Sequence, residues 1–406
     1  MRIYNLTLEK IGPFKEAYLE FIGNEDNVSN PPVIIITGEN GMGKSIIIDA
    51  IRTLFYGTHK IERDITYAED FLIKSEISLP DNTKMTIITK EKSQDGSFRT
   101  NSHEFNRLFS SPILLSSIKD NFVVDYWTSK LSNDTFTIKN IESPETNNYL
   151  NDALTGIHKN IDVTKTITFF DYLKDSQDEK ERKIGKKMYD LVKKIIDISI
   201  KDGNLSYISR TDLKPIIDFQ GRKISLDKLS SGNLYLIQRL THLLKQMYSV
   251  CDIHNIPIDD VQKIPGLLLI DEAENHLHPQ WQKVFIKNVI RLFPNLQIIV
   301  TTHSPFIVSS VENSRIYVCS SHGDHSVVKE ETDFYANTPI EEILISPLFN
   351  TNSFNIEISQ LLSQRKEAIQ TNNETLKKDI EEQLLERNPE YFNYLTIDKI
   401  IENINR

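Results

Sequence analysis

Cysteine is scarce: two in 406 residues, Cys251 and Cys319, far apart and neither in a Cys-x-x-Cys pair. That excludes a disulfide-stapled scaffold and fits two small core thiols in a reducing cytoplasm. Long apolar runs are missing too. "VIIIT" and "GLLLI" fall far short of the roughly 20 residues a helix needs to cross a bilayer. The opening "MRIYNLTLEKIGPF" alternates like a strand and does not read as a signal peptide. A cytoplasmic protein with no membrane partner is expected. Excess positive charge is also lacking, since 47 Lys and Arg face 57 Asp and Glu for a net charge of −10. This weighs against a generally basic nucleic-acid binder. It leaves room for a local patch or a groove that becomes basic on assembly. The modest clusters Lys180–Lys187 and Lys193–Lys194 read as solvated helix faces.

With 39% hydrophobic and 26% charged residues, the chain reads as globular. Its length suits one large domain with an insertion, or two unequal lobes. Val33–Ile36 is a β-branched run that reads as a buried strand. Gly38, Glu39, Asn40, Gly41, Met42, Gly43, Lys44 and Ser45 follow, and then Ile46, Ile47, Ile48, Ile51, Leu54 and Phe55 fall near helical spacing. Strand, glycine-rich loop and helix form the context that G-x-x-x-x-G-K-[ST] requires. Loop amides and the positive helix start can hold phosphate oxygens. Lys44 would reach the β- and γ-phosphates, and the Ser45 hydroxyl would sit on Mg²⁺. The anion is a nucleoside triphosphate; the loop alone does not separate a kinase, a GTPase, a motor and an ABC-type machine.

Three further stretches narrow the class. Leu267–Ile270 followed by Asp271 and Glu272 reads as a Walker B strand. There Asp271 would hold Mg²⁺ through water and Glu272 would polarise the attacking water. Ile298–Val300 ends in Thr301-Thr302-His303-Ser304-Pro305, where His303 could bond the γ-phosphate and sense hydrolysis. Leu229, Ser230, Ser231, Gly232 and Asn233 precede apolar residues at helical spacing and form another anion-accepting helix start. Seen alone, that start is also an ordinary serine cap. His276 and His278 would suit zinc by spacing, but no cysteine or carboxylate cluster joins them.

P-loop, "LSSGN", "LLLIDE" and "TTHS", in this order, resemble the ABC-type ATPase heads of the SMC, RecF and repair-ATPase group. The resemblance implies a head-to-head homodimer with two ATP molecules between subunits, and higher oligomers would build on it. Ser231 and Gly232 of one head would then contact the γ-phosphate held by the other. Asn233 departs from the usual Gln or Glu. Residues 275–278 align with the D-loop that passes between heads. For the Q-loop, Gln94 is a candidate by position only, in a turn that reads better as a hairpin tip.

The fold class expected is α/β, a P-loop NTPase head of ABC type. It combines a mixed central sheet and an antiparallel β subdomain with a helical insertion and a helical C-terminal tail. The boundaries read as 1–140 for the first part of the head, 141–225 for a short helical lobe, 226–335 for the rest of the head and 336–406 for the tail. At about 1.5 Å per residue the lobe cannot form a long coiled-coil arm. The tail lacks the Asp-x-Asp pair and the strand–helix alternation of a Toprim nuclease. It reads either as a cap on the head or as a docking element for a partner or for oligomerisation.

"DEAENHLHP", "TTHSP" and the compact length resemble the short RecF/OLD-like ATPases of bacterial anti-phage systems, the PtuA-type ATPases of Septu and of certain retrons in particular. This implies a slow, regulatory ATPase that gates a separate effector such as an HNH nuclease. A RecF-like DNA-repair ATPase and a non-catalytic nucleotide-binding module are the other readings. The first of these would bind nucleic acid directly.

Overall fold

The computed structural model describes residues 1–56, 65–66, 68–93, 97–109, 120–128, 136, 138–144, 146, 149–151, 153–156, 163–349 and 355–395. Gln94 lies outside them. By compactness the chain divides into two units, Met1–Ile340 and Glu341–Arg406.

The first unit is built on a mixed sheet of twelve described strands. Its antiparallel half comprises β1 (Arg2–Ile3), β2 (Asn5–Ile11), β3 (Phe14–Glu20), β5 (Leu72–Ser78), β6 (Lys84–Lys92) and β7 (Phe98–Thr100). Its other half holds β4 (Val33–Gly38), β8 (Val123–Trp127), β12 (Gly266–Ile270), β13 (Leu296–Thr301), β14 (Ser314–His322) and β15 (His325–Glu330). The order is β7-β6-β5-β2-β3-β15-β14-β4-β13-β12-β8, with β1 paired to β5. The run β14-β4-β13-β12-β8 is parallel throughout. Strands β4, β8, β12 and β13 are buried at every residue. Continuous apolar strands of this kind are what a parallel sheet covered on both faces demands.

Helix α1 (Lys44–Tyr56) packs its apolar residues into the main core with Phe105 and Phe109. Phe55 stacks on Phe109 at 5.6 Å between ring centres and meets Phe105 edge-on, the favoured geometries for aromatic pairs. Between β7 and β8 lies the short α2 (His103–Arg107).

The segment read as a short helical lobe, 141–225, holds strands as well as helices. Helices α3 (Val163–Leu173) and α4 (Glu179–Ser199) are followed by a separate antiparallel sheet of β9 (Gly203–Ile208), β10 (Pro215–Phe219) and β11 (Arg222–Ser225). Met188, Leu191, Val192, Ile195 and Ile196 form the buried face of α4, with Ile184 half-buried near its start. Further on the helical period ends: Pro215 and Ile217 alternate inward on β10, while Leu205 and Ile208 on β9 are buried three apart, across a shift in the pairing register. Gly221, at φ +77°, makes the tight turn between β10 and β11.

The remaining helices of this unit are α5 (Ser231–His254), α6 (Pro279–Leu292), α7 (Pro305–Val308) and α8 (Thr332–Tyr335). The second unit begins along α9 (Ile340–Ile345) and holds α10 (Ile356–Gln370) and α11 (Glu374–Arg387). These two helices enclose a small core of Leu361, Ile380, Leu384, Phe392 and Leu395. Arg365 bonds the buried Glu381 carboxylate at 2.9 and 3.0 Å. No described helix is long and apolar enough to cross a membrane.

Candidate functional site

The loops that follow β4, β12 and β13 leave the same edge of the parallel sheet, where α/β folds place their ligand sites. Between β4 and α1 the P-loop turns through Gly38 at φ +133°, Gly41 at +80° and Gly43 at +93°. Gly38 is required twice over. Its backbone angle excludes side chains, and a Cβ there would stand 2.1 Å from the carbonyl oxygen of Cys319 on β14. Glu39, Asn40 and Gly41 are exposed, and Met42, Gly43, Ser45 and Ile46 are half-buried.

Lys44 is buried, and its Nζ donates to the carbonyls of Gly38 at 2.9 Å and Glu39 at 2.7 Å. Burial lowers its pKa, while nearby Cys319, Glu274, Asp271 and Glu272 oppose that shift. The Ser45 hydroxyl donates to Asp271 Oδ1 at 2.8 Å, and the Thr301 hydroxyl donates to the same oxygen at 2.6 Å. Thr301 Oγ1 in turn accepts the Glu272 amide at 2.9 Å. Glu272 itself sits at φ +54° with its side chain exposed, and its Oε2 accepts from Asn275 Nδ2 at 2.5 Å.

His303 is half-buried. Burial and the Lys44 ammonium pull its pKa below the ordinary histidine value, against Glu274, Glu272 and Asp271. A neutral imidazole near pH 7 follows, able to donate at one nitrogen and accept at the other.

The structure thus brings Lys44, Ser45, Asp271, Glu272 and His303 to one edge. Ser230, Ser231, Gly232 and Asn233 open a different helix, α5. Ser230 caps it by accepting the Asn233 amide. Gly232 lies against the loop after β12, because a Cβ there would stand 2.2 Å from the His276 carbonyl oxygen. The rings of Tyr235 and His276 meet at 5.6 Å. His278 caps α6 through the Gln280 amide. Neither histidine has a metal-binding group around it among the described residues.

Four residues outside the motif reading also serve this edge. Thr301 and Asn275 hold Asp271 and Glu272 as described. Glu274 Oε1 accepts the His303 amide at 2.8 Å, and its Oε2 accepts the Thr302 hydroxyl at 2.7 Å. Gln282 donates to the Leu277 carbonyl at 2.8 Å and accepts from Ser304 Oγ at 2.5 Å. The sequence signal for Thr301, Asn275 and Glu274 was crowding of polar residues inside "DEAEN" and "TTHS"; Gln282 lies in neither. Beside the Walker B strand, the neighbour is β8. Its last residue, Trp127, offers its carbonyl to the Asp271 amide at 2.9 Å, and the Tyr235 hydroxyl bonds the Thr128 carbonyl at 3.0 Å. Both cysteines are buried, with their thiols pushed up to about 12 by burial.

The chain is 25% identical over 312 residues to the Septu protein PtuA of Bacillus thuringiensis, covering 73% of each. It is 33% identical over 130 residues to the Retron Vc95 probable ATPase of Vibrio cholerae serotype O1 biovar El Tor, 31% of this chain and 24% of that one. Among solved structures, the SMC head domain from Thermotoga maritima aligns with a TM-score of 0.44 and 16% identity, over 81% of this chain and 99% of that one. The resemblance read from the motifs is borne out at the level of family. The model of the family described as "AAA domain, putative AbiEii toxin, Type IV TA system" matches residues 33–309, more than half of the chain and every motif from P-loop to His303, and the chain belongs to that family.

Proposed function

We propose that the chain is an ABC-type ATPase of an anti-phage system, which binds ATP with Mg²⁺ and works as a pair of heads gating a nuclease-type effector. The observation that carries the nucleotide part is the meeting of Ser45 Oγ and Asp271 Oδ1 at 2.8 Å, with the Lys44 ammonium close enough to feel the Asp271 charge. A hydroxyl and a carboxylate suit a hard cation such as Mg²⁺, and Lys44 supplies the charge a triphosphate needs. The PtuA and retron relatives support the defence setting.

In this mechanism Lys44 exchanges its two bonds to neutral loop carbonyls for stronger charge-assisted bonds to phosphate oxygens. Ser45, and Asp271 through water, would hold Mg²⁺, which would supply neutralisation of phosphate charge. Glu272 accepts a proton from the attacking water, and Asn275 fixes the carboxylate for that step. His303 presents an imidazole to the terminal phosphate. Ser231 and Gly232, on α5, are left to cap the nucleotide of a second copy. The loop of residues 275–278 would pass between the heads and report closure to the effector.

Lys44→Ala should weaken ATP binding about 10- to 100-fold, the loss of charge-assisted hydrogen bonds worth about 1.5–3 kcal/mol. Titration calorimetry with ATP and Mg²⁺ measures it, and parental affinity would remove Lys44 from the phosphate site. Ser231→Arg should leave single heads binding ATP but prevent pairing. Sedimentation in a Glu272→Gln background with ATP tests this. A dimer that forms as in the parent would contradict capping by the second copy.

A further inference from the structure

The loops after β12 and β13 are tied together by side chains, and one tie is a carboxylate the reaction scheme does not use. Glu274 spends both oxygens on the His303 loop: Oε1 takes the His303 peptide N–H at 2.8 Å and Oε2 the Thr302 hydroxyl at 2.7 Å. Thr302 is fully buried, and its own amide bonds the Ile36 carbonyl of β4 at 3.0 Å. Its Oγ1 also accepts the Ser304 amide at 2.9 Å. The backbone on both sides of His303 is therefore fixed through one acidic side chain. That side chain belongs to the same short loop as Glu272 and as His276, which touches the start of α5.

We propose that Glu274 is a positioning residue that couples the loop of residues 272–278 to His303, holding the imidazole in register with the terminal phosphate; this rests on the ATPase reading above. A carboxylate is needed because both neighbours donate. Glutamine offers one acceptor oxygen and turns an N–H donor toward a second donor. Aspartate keeps two acceptors on a stem one methylene shorter. The groups that face His303 are Lys44, Glu274, Glu272 and Asp271, so removing the Glu274 charge also leaves Lys44 less opposed. A movement of the 272–278 loop, such as a second head would impose, then reaches His303 through Glu274, beside the ties that Thr301 makes to the Glu272 and Ala273 amides.

The test compares the full chain with Glu274→Gln, Glu274→Asp, His303→Ala and the Glu274→Gln/His303→Ala double variant. Glu274→Gln should lower kcat for ATP about tenfold or more with KM within about twofold. Glu274→Asp should recover part of the loss. In the His303→Ala background the glutamine should cost nothing further, the signature of two residues acting as one. Without nucleotide, the His303 ring resonance of isotope-labelled protein, assigned by its loss in His303→Ala, should move in Glu274→Gln and titrate at lower pH. The proposal is overturned if kcat and the His303 resonance both stay parental, or if Glu274→Gln costs as much without His303 as with it. A parent chain that turns over no ATP would overturn the ATPase reading, while the nucleotide-free His303 spectrum would still decide the positioning role.

Discussion

Glutamine in place of Glu272 should cut ATP turnover by about 10²- to 10⁴-fold, the usual worth of a positioned general base, while ATP stays bound. The exchange keeps side-chain length and the bond to Asn275, so geometry survives and only basicity is lost. The position is also built with effort. Glu272 holds a left-handed backbone at φ +54°, which costs a non-glycine residue about 1–3 kcal/mol. Its amide is pinned by Thr301 Oγ1 and the Ala273 amide by the Thr301 carbonyl. Strain of this kind persists where it aims a side chain. Phosphate release measures the loss, and size-exclusion chromatography with ATP should show a persistent head pair. Turnover at the parental rate would remove Glu272 as the base.

The second large effect is expected at Gly38. Alanine there would meet the Cys319 carbonyl at 2.1 Å while holding φ near +133°. The backbone term costs about 1–3 kcal/mol, and forcing a methyl into packed backbone adds about 1–3 kcal/mol. The protein should lose several degrees of Tm and most of its ATP affinity, because relief requires β4 and β14 to part at the P-loop. Gly41→Ala is the internal control. Its φ is +80°, but no atom lies within 4 Å of the added carbon, so only the smaller backbone cost applies. Equal melting temperatures for Gly38→Ala and the parent would show that the strands yield without consequence.

The sites at loop ends were legible because each motif joins an apolar strand to a fixed run of polar residues. "VIIITGENGMGKS" and "LLLIDE" carry strand, turn and chemistry together. The parallel sheet followed from the same runs, since strands buried on both faces have no polar alternation. What stayed hidden depends on contacts distant in sequence. The strands of 203–225 are short, and their inward residues, Leu205, Ile208 and Ile217, are too few to stand out beside the stronger stripe of α4. Glu274 looked like one more surface acid. Only folding brings it to Thr302 and His303, 28 and 29 residues away. Gln94 was assigned by position alone. One strand that flanks the Walker B strand is β8, which ends at Trp127, and Gln94 lies outside the described residues.

The placement of β4 has a consequence for biosynthesis. Its sheet neighbours are β13 and β14, both made long after it. Gly38 meets its partner Cys319 only when 319 − 38 = 281 further residues have been translated. At about 5–20 residues per second this is about 15–55 s. Until β13 is made the buried strand β4 has both edges bare, until β14 is made one edge stays bare, and the nascent chain lacks the wall against which to shape a phosphate cradle. Ribosome-bound chains ending before β14 should be poor nucleotide binders and good clients for chaperones. A cell that makes this protein therefore obtains a finished P-loop wall only after β14 has been translated.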